Sequence, residues 1–77
     1  MTLQHLRYVL AVSECGTMNR ASERLNVAQP SLSTAIRALE EELGIKIFKR
    51  TARGVTVTEN GEEFLVYARQ LYNEYLG

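Results

Sequence analysis

Pro30, Ser33, Thr34 and Arg37 follow one another at i, i+3, i+4 and i+7, so on a helix they share a single face. Behind them Leu32, Ile36, Leu39 and Leu43 recur at steps of four, three and four, a narrow apolar stripe that belongs in a core. Short polar side chains and one arginine, backed by a buried stripe, suit a helix held by its scaffold and offered to a groove. A second cluster, Lys46, Lys49, Arg50 and Arg53, lies between two acidic groups, Glu40–Glu42 and Glu59, Glu62 and Glu63. The formal net charge is zero, without the strongly basic balance that usually flags a nucleic-acid partner. Segregation along the chain can still give a basic surface on a neutral protein. From composition alone the plainer reading, ordinary solvated charges, has the edge.

Nothing comparable points to catalysis. The single histidine, His5, has no cysteine, carboxylate pair or glycine-rich phosphate loop arranged around it, and reads as a surface residue of a first helix. One cysteine, Cys15, makes no internal disulfide and reads as a small buried hydrophobe. Neither an enzyme, a metal site nor a cofactor is expected.

The elements that must position these residues are those of one small domain. At 77 residues a chain buries only about 60% of its unfolded surface, so a partner subunit can contribute to stability. A hydrophobic content of 45% with 23% charged residues fits a soluble globular protein. No apolar run approaches the roughly 18 residues needed to span a bilayer. His5 and Arg7 interrupt the first apolar positions, unlike a signal peptide. No membrane partner and a cytoplasmic location are therefore expected.

Thr2 reads as the N-cap of a helix from about Leu3 to Glu14, with Leu3, Leu6, Val9, Leu10 and Val12 facing inward. Gly16 supplies a left-handed helix end. Thr17 or Asn19 caps a second helix, whose Ala21 and Leu25 repeat at helical spacing, and Asn26-Val27-Ala28 forms a turn. Pro30 belongs in the first turn of a third helix starting near Gln29, because its missing N–H has no intrahelical partner there.

Gly44 ends that helix. Ile45–Arg50 and Val55–Val57 read as two strands around a Thr51–Gly54 loop, a hairpin whose tip carries Arg53. The hairpin either closes the core or carries a contact, and the two roles are compatible. Thr58 caps a last helix with Glu59, Glu62 and Glu63 near the positive end of its dipole. Along it Phe64, Ala68, Leu71 and Tyr75 repeat at four, three and four, with Leu65, Tyr72 and Leu76 beside them. A stripe this wide either folds back on the first helix or pairs with a second copy, the reading we favour. Because the pattern is still running at Gly77, a longer protein is expected.

From Gly16 to Gly61, and over nearly the whole chain, the sequence resembles the DNA-binding domain of LysR-type transcriptional regulators. The likeness rests on LQHLRYVLAV, RASERLNVAQPSLSTAIRALEEELGIKIF, KRTARGVTVT and TENGEEFL at fixed spacing. It implies a mainly α winged helix-turn-helix over residues 1–58, a three-helix core plus a two-stranded β-hairpin wing. The helix-turn-helix motif falls at about 18–37 and the wing at about 45–57. Residues 59–77 begin a linker and dimerisation helix. The implied function is sequence-specific binding of double-stranded DNA, as a homodimer on an imperfect inverted repeat. Family members usually add a C-terminal domain that binds a small-molecule co-inducer and drives higher oligomers. The alternative is a winged-helix protein-interaction module without DNA affinity.

Carried onto these residues, the resemblance implies DNA contacts by Gln29, Pro30, Ser31, Ser33, Thr34 and Arg37 on the third helix and by Arg50 and Arg53 in the wing. Gln29 suits a base edge, and the hydroxyls of Ser33 and Thr34 suit bases or phosphates. Arg37 reaches a phosphate, Arg50 fixes register on the backbone and Arg53 enters a narrow A·T-rich minor groove. Arg20 and Arg24 are read as solvated. Phe64, Leu65, Ala68, Leu71, Tyr72 and Tyr75 are the implied dimer residues. The chain departs from the family at Ala28, where serine is common and a side-chain cap is lost, at Thr34, often arginine or glutamine, and at Ser22 and Asn60, often alanine. Ser22 is expected to bond within its helix.

Overall fold

A computed structural model describes residues 1–76 as α1 (Leu3–Cys15), α2 (Met18–Leu25), α3 (Gln29–Leu43), β1 (Phe48–Thr51), β2 (Gly54–Val57) and α4 (Glu59–Leu76). This is a mainly helical winged helix-turn-helix, with one antiparallel two-stranded sheet pairing Phe48 with Val57 and Arg50 with Val55. Helix α1 is the central element, packing on α2, α3 and α4.

Local chemistry sets the helix ends. The Thr2 hydroxyl accepts the His5 N–H at 3.1 Å and the His5 ring nitrogen accepts the Thr2 N–H at 3.2 Å, a reciprocal cap that gives His5 a structural role beyond the surface one read from sequence. Gly16 ends α1 at φ 78°, and Thr17, not Asn19, caps α2. Asn26, at φ 57°, is the sole non-glycine residue with positive φ among those described, and it turns the chain from α2 toward α3. Ser22 donates its hydroxyl to the Asn19 carbonyl at 2.8 Å, within the helix as expected.

The core is broader on α1 than periodicity alone indicates. Leu6, Val9, Leu10 and Val12 are buried, but so are Tyr8 and Ala11, because three elements cover this helix. Tyr8 keeps its hydroxyl satisfied by the Gln4 amide at 2.7 Å. Leu3 is exposed, contrary to expectation, since its turn lies at the end of the helix beyond those neighbours. On α3, Leu32, Ile36 and Leu39 are buried and Leu43 is half-buried.

Strand β1 begins at Phe48, three residues later than the β-prone run suggests. The intervening backbone is otherwise engaged. Ile45 donates to the Glu40 carbonyl, and the Glu40 carboxylate accepts the Ile47 N–H at 2.8 Å and the Phe48 N–H at 3.3 Å. The connecting loop is correspondingly tighter than Thr51–Gly54, since both of those residues join the ladder. Gly54, at φ 136°, brings its backbone so close to the α1–α2 turn that a Cβ would lie 2.4 Å from the Gly16 carbonyl oxygen.

Helix α4 is seated on the residue before β1. The Thr58 N–H donates to the Ile47 carbonyl at 2.9 Å, while the Thr58 hydroxyl donates to the Lys46 carbonyl and accepts the Gly61 N–H at 2.9 Å. A Cβ on Gly61 would meet the Ile47 carbonyl oxygen at 2.2 Å. Gly61→Ala therefore sets a helix-propensity gain of at most about 1 kcal/mol against an overpacking cost of about 1–3 kcal/mol that no rotamer relieves. The contact wins, and thermal unfolding should show a lower Tm for Gly61→Ala; a rise would mean the α4–Ile47 approach is looser than this. Ala28, extended at ψ 139°, makes no side-chain cap, leaving the Ser31 N–H without the partner a serine would supply. Ala28→Ser should add on the order of 1 kcal/mol and raise Tm by roughly 4–8 °C, and an unchanged melt would refute a capping deficit.

Candidate nucleic-acid interface

The exposed face of α3 is built as its spacing requires. With Leu32, Ile36 and Leu39 turned into the core, Pro30, Thr34 and Arg37 are exposed and Ser33 is half-buried. Gln29 and Ser33 sit toward the wing, Gln29 bordering a depression shared with Arg50–Gly54, while Ser31 is exposed on the other flank. Pro30 leaves the first turn of α3 without one N–H, and Ala28 supplies no side-chain oxygen, so the first-turn amides receive no side-chain cap.

The hairpin lies alongside. Its far end is tied to the scaffold by the Val55 N–H on the Gly16 carbonyl at 2.9 Å, and its near end by Glu40 on Ile47 and Phe48. Between α3 and the hairpin runs an open cleft of about 470 Å³, bordered by Ser33, Arg37, Lys46, Lys49 and Arg50. Its one carboxylate is Glu40, which two backbone N–H groups already occupy. Arg53 projects from the turn at the wing tip, exposed, beside Gln29 and Asn19. The zero net charge thus resolves into a local positive surface, since the first-turn acids of α4, Glu59 and Glu62, are not among the residues lining the cleft.

Arg50 reaches across the cleft, its guanidinium donating to the Ser33 hydroxyl oxygen at 2.8 Å. Every residue assigned to the contact surface from sequence is therefore on α3 or the wing, and Ser33 and Arg50 touch. Sequence reasoning left out Lys46 and Lys49, which line the same cleft and were legible only as part of the basic run. It also treated Glu40 as one of three solvated acids; no periodic signal distinguishes it from Glu41 and Glu42, which are exposed. Arg24 pairs with Glu14 at 2.7 Å, and Arg20 is exposed on α2. Among the described residues no cluster of three or more histidine, cysteine or acidic side chains is disposed to hold a metal ion, and no helix is long and apolar enough to cross a membrane.

Helix α4 divides the stripe assigned to a dimer. Phe64, Leu65 and Ala68 are buried in the chain's own core, so for these three the stripe folds back on the body of the domain. The reason is the length of α1, which runs beside this part of α4 and covers it. Leu71 and Tyr72 are half-buried against the same core. Tyr75 continues the buried face one turn further yet is 67% exposed, and Leu76 and Tyr67 flank it at 64% and 55%.

The chain is similar to known proteins along almost its entire length. A family model described as "Bacterial regulatory helix-turn-helix protein, lysR family" matches residues 3–62. The HTH-type transcriptional regulator TfdT of Cupriavidus pinatubonensis is 46% identical over 71 residues, which are 92% of this chain and 31% of that protein. The chain spans less than a third of the length of such curated relatives. Among solved structures, a CbnR DBD–DNA complex superposes with a TM-score of 0.94 at 37% identity, covering 97% of this chain and 86% of that one. A complex of the BenM DBD with benA site 1 DNA gives 0.92 at 44% identity, covering 97% and 84%; BenM is a regulator of Acinetobacter baylyi.

Proposed function

Since the chain belongs to the lysR family of bacterial regulatory helix-turn-helix proteins, we propose that it binds double-stranded DNA sequence-specifically as the reading module of a transcriptional regulator in the cytoplasm. The observation that carries this is the juxtaposition of the polar face of α3 with a cleft whose four cations face one already occupied carboxylate. A helix of this width fits the major groove, and hydroxyl and amide side chains there meet base edges. In this reading Gln29, Pro30, Ser31, Ser33 and Thr34 face the bases. Arg37 and Arg50 lie within reach of phosphates, whose neutralisation dominates affinity. Arg53, at the exposed wing tip, enters the adjacent minor groove, where narrow A·T-rich steps concentrate negative potential.

A second copy completes the unit. Tyr75 and Leu76 lie at the end of the core-facing side of α4 with no covering element among the described residues, and Tyr67 borders them. Packing of this end against the same end of another chain buries aromatic surface that a small domain otherwise leaves in water. Two α3 helices fixed by such a dimer meet major grooves about 34–36 Å apart or a multiple of that, which makes the site an imperfect inverted repeat.

Selection of duplexes from a random pool should return that dyad, with affinity falling steeply as salt rises. A flat salt response and no selected sequence would instead favour a protein-interaction module. Arg53→Ala should cost about 1–3 kcal/mol of binding and relax the preference for A·T-rich flanks; equal flank preference in both proteins would remove the minor-groove role. Tyr75→Glu should shift sedimentation from dimer to monomer and lower Tm only by the stability that dimerisation adds, because that side chain is outside the core of its own chain. A monomer in the unaltered protein at high concentration would end the interface proposal.

A further inference from the structure

Resting on the reading that α3 enters the major groove, we propose that Arg50 is a positioning residue that makes Ser33 a hydrogen-bond donor to the base it faces, so that this position selects acceptor edges and rejects cytosine. A serine hydroxyl has one proton to donate and an oxygen that accepts, and a free hydroxyl rotates to suit either kind of base edge. Here the choice is restricted. The Arg50 guanidinium, which has no acceptor capacity, directs Nη2–H at the Ser33 oxygen at 2.8 Å. The guanidinium takes one of the oxygen's two lone pairs and its charge disfavours a second N–H donor on the other, so the hydroxyl turns its own proton outward.

Two of the other helical serines behave differently, whereas Ser31 resembles Ser33 in making no back-bond but meets no arginine among the described residues. Ser13 and Ser22 direct their protons back to the carbonyls of Leu10 and Asn19, each at 2.8 Å. Ser33 makes no such back-bond among the described residues, so its proton remains available on the face offered to a ligand. Nor is Arg50 diverted by an acid, since the ion pairs of the described residues are Met1–Glu42 and Arg24–Glu14. Arg50 lies opposite Val55 in the hairpin, whose N–H is bonded to Gly16, so the backbone from which the Arg50 side chain reaches α3 is tied to the scaffold.

In the major groove the acceptors are N7 of purines, O6 of guanine and O4 of thymine, whereas cytosine presents only its amino donor. Arg50 can use its other N–H groups on a phosphate at the same time, which fixes the register of the hydroxyl against the duplex.

The test pairs binding-site selection with four variants: Ser33→Ala, Arg50→Met, their combination and Arg50→Lys. One base position should lose its preference on Ser33→Ala. In the unaltered protein cytosine at that position should weaken binding about three- to tenfold, the worth of one hydrogen bond. Arg50→Met should relax discrimination at that same position, the double variant should discriminate no less than either single one, and Arg50→Lys, which keeps a donor, should retain most of it. Equal weakening on all sequences by Arg50→Met, additive with Ser33→Ala and with cytosine still rejected, would overturn the assignment and leave Arg50 a phosphate contact alone. So would a position that prefers cytosine, or none affected by Ser33→Ala. Absence of any duplex binding by the unaltered protein would overturn the functional reading itself, a different outcome from either of these.

Discussion

The peptide at Ile47 joins the three parts of this molecule that must agree in orientation. Its N–H is held by the Glu40 carboxylate from α3, its carbonyl accepts the Thr58 N–H, and its side chain is fully buried. The first turn of α4 approaches it so closely that only glycine fits at position 61. The direction of the hairpin relative to α3, and of α4 relative to both, is therefore set at one point. A charge-assisted bond to a backbone N–H is about twice as strong as a neutral one, and half-burial of Glu40 reduces its screening. Were this junction loose, the cleft between α3 and the wing would have no fixed width.

That cleft reconciles a neutral chain with the polyanionic partner proposed for it. Nine basic and nine acidic residues cancel in sum, but they do not cancel in space. Of the three adjacent acids at the end of α3, Glu40 is turned inward on backbone amides and Glu41 and Glu42 are exposed outside the cleft. Arg37, Lys46, Lys49 and Arg50 remain together, and solvent largely screens exposed charges lying beyond a Debye length of about 8–10 Å. The relevant quantity is the field at the cleft, and composition does not report it.

The helices and their ends were legible in the residues themselves. Thr2, Gly16, Asn26, Pro30 and Gly44 each act through their own backbone preference or a partner within a turn, so their effects are local and the spacing of apolar residues does the rest. The polar face of α3 was legible for the same reason. Periodicity, however, says that a stripe is covered and not by what. Phe64, Leu65 and Ala68 could as well have met another chain; that they meet the body of the domain follows from where α1 lies beside α4.

The sequence by itself determined the helices, the hairpin, the polar face of α3 and the basic character of the hairpin, since each depends on neighbours within a few residues, and the winged helix-turn-helix followed from the family resemblance. Only the tertiary structure decided that Glu40 anchors the wing, that β1 starts at Phe48, that Phe64, Leu65 and Ala68 of the α4 stripe are internal and that Arg50 meets Ser33. These rest on contacts between residues five or more positions apart. Their existence depends on the angle at which packed elements meet, which no local preference of the residues involved encodes.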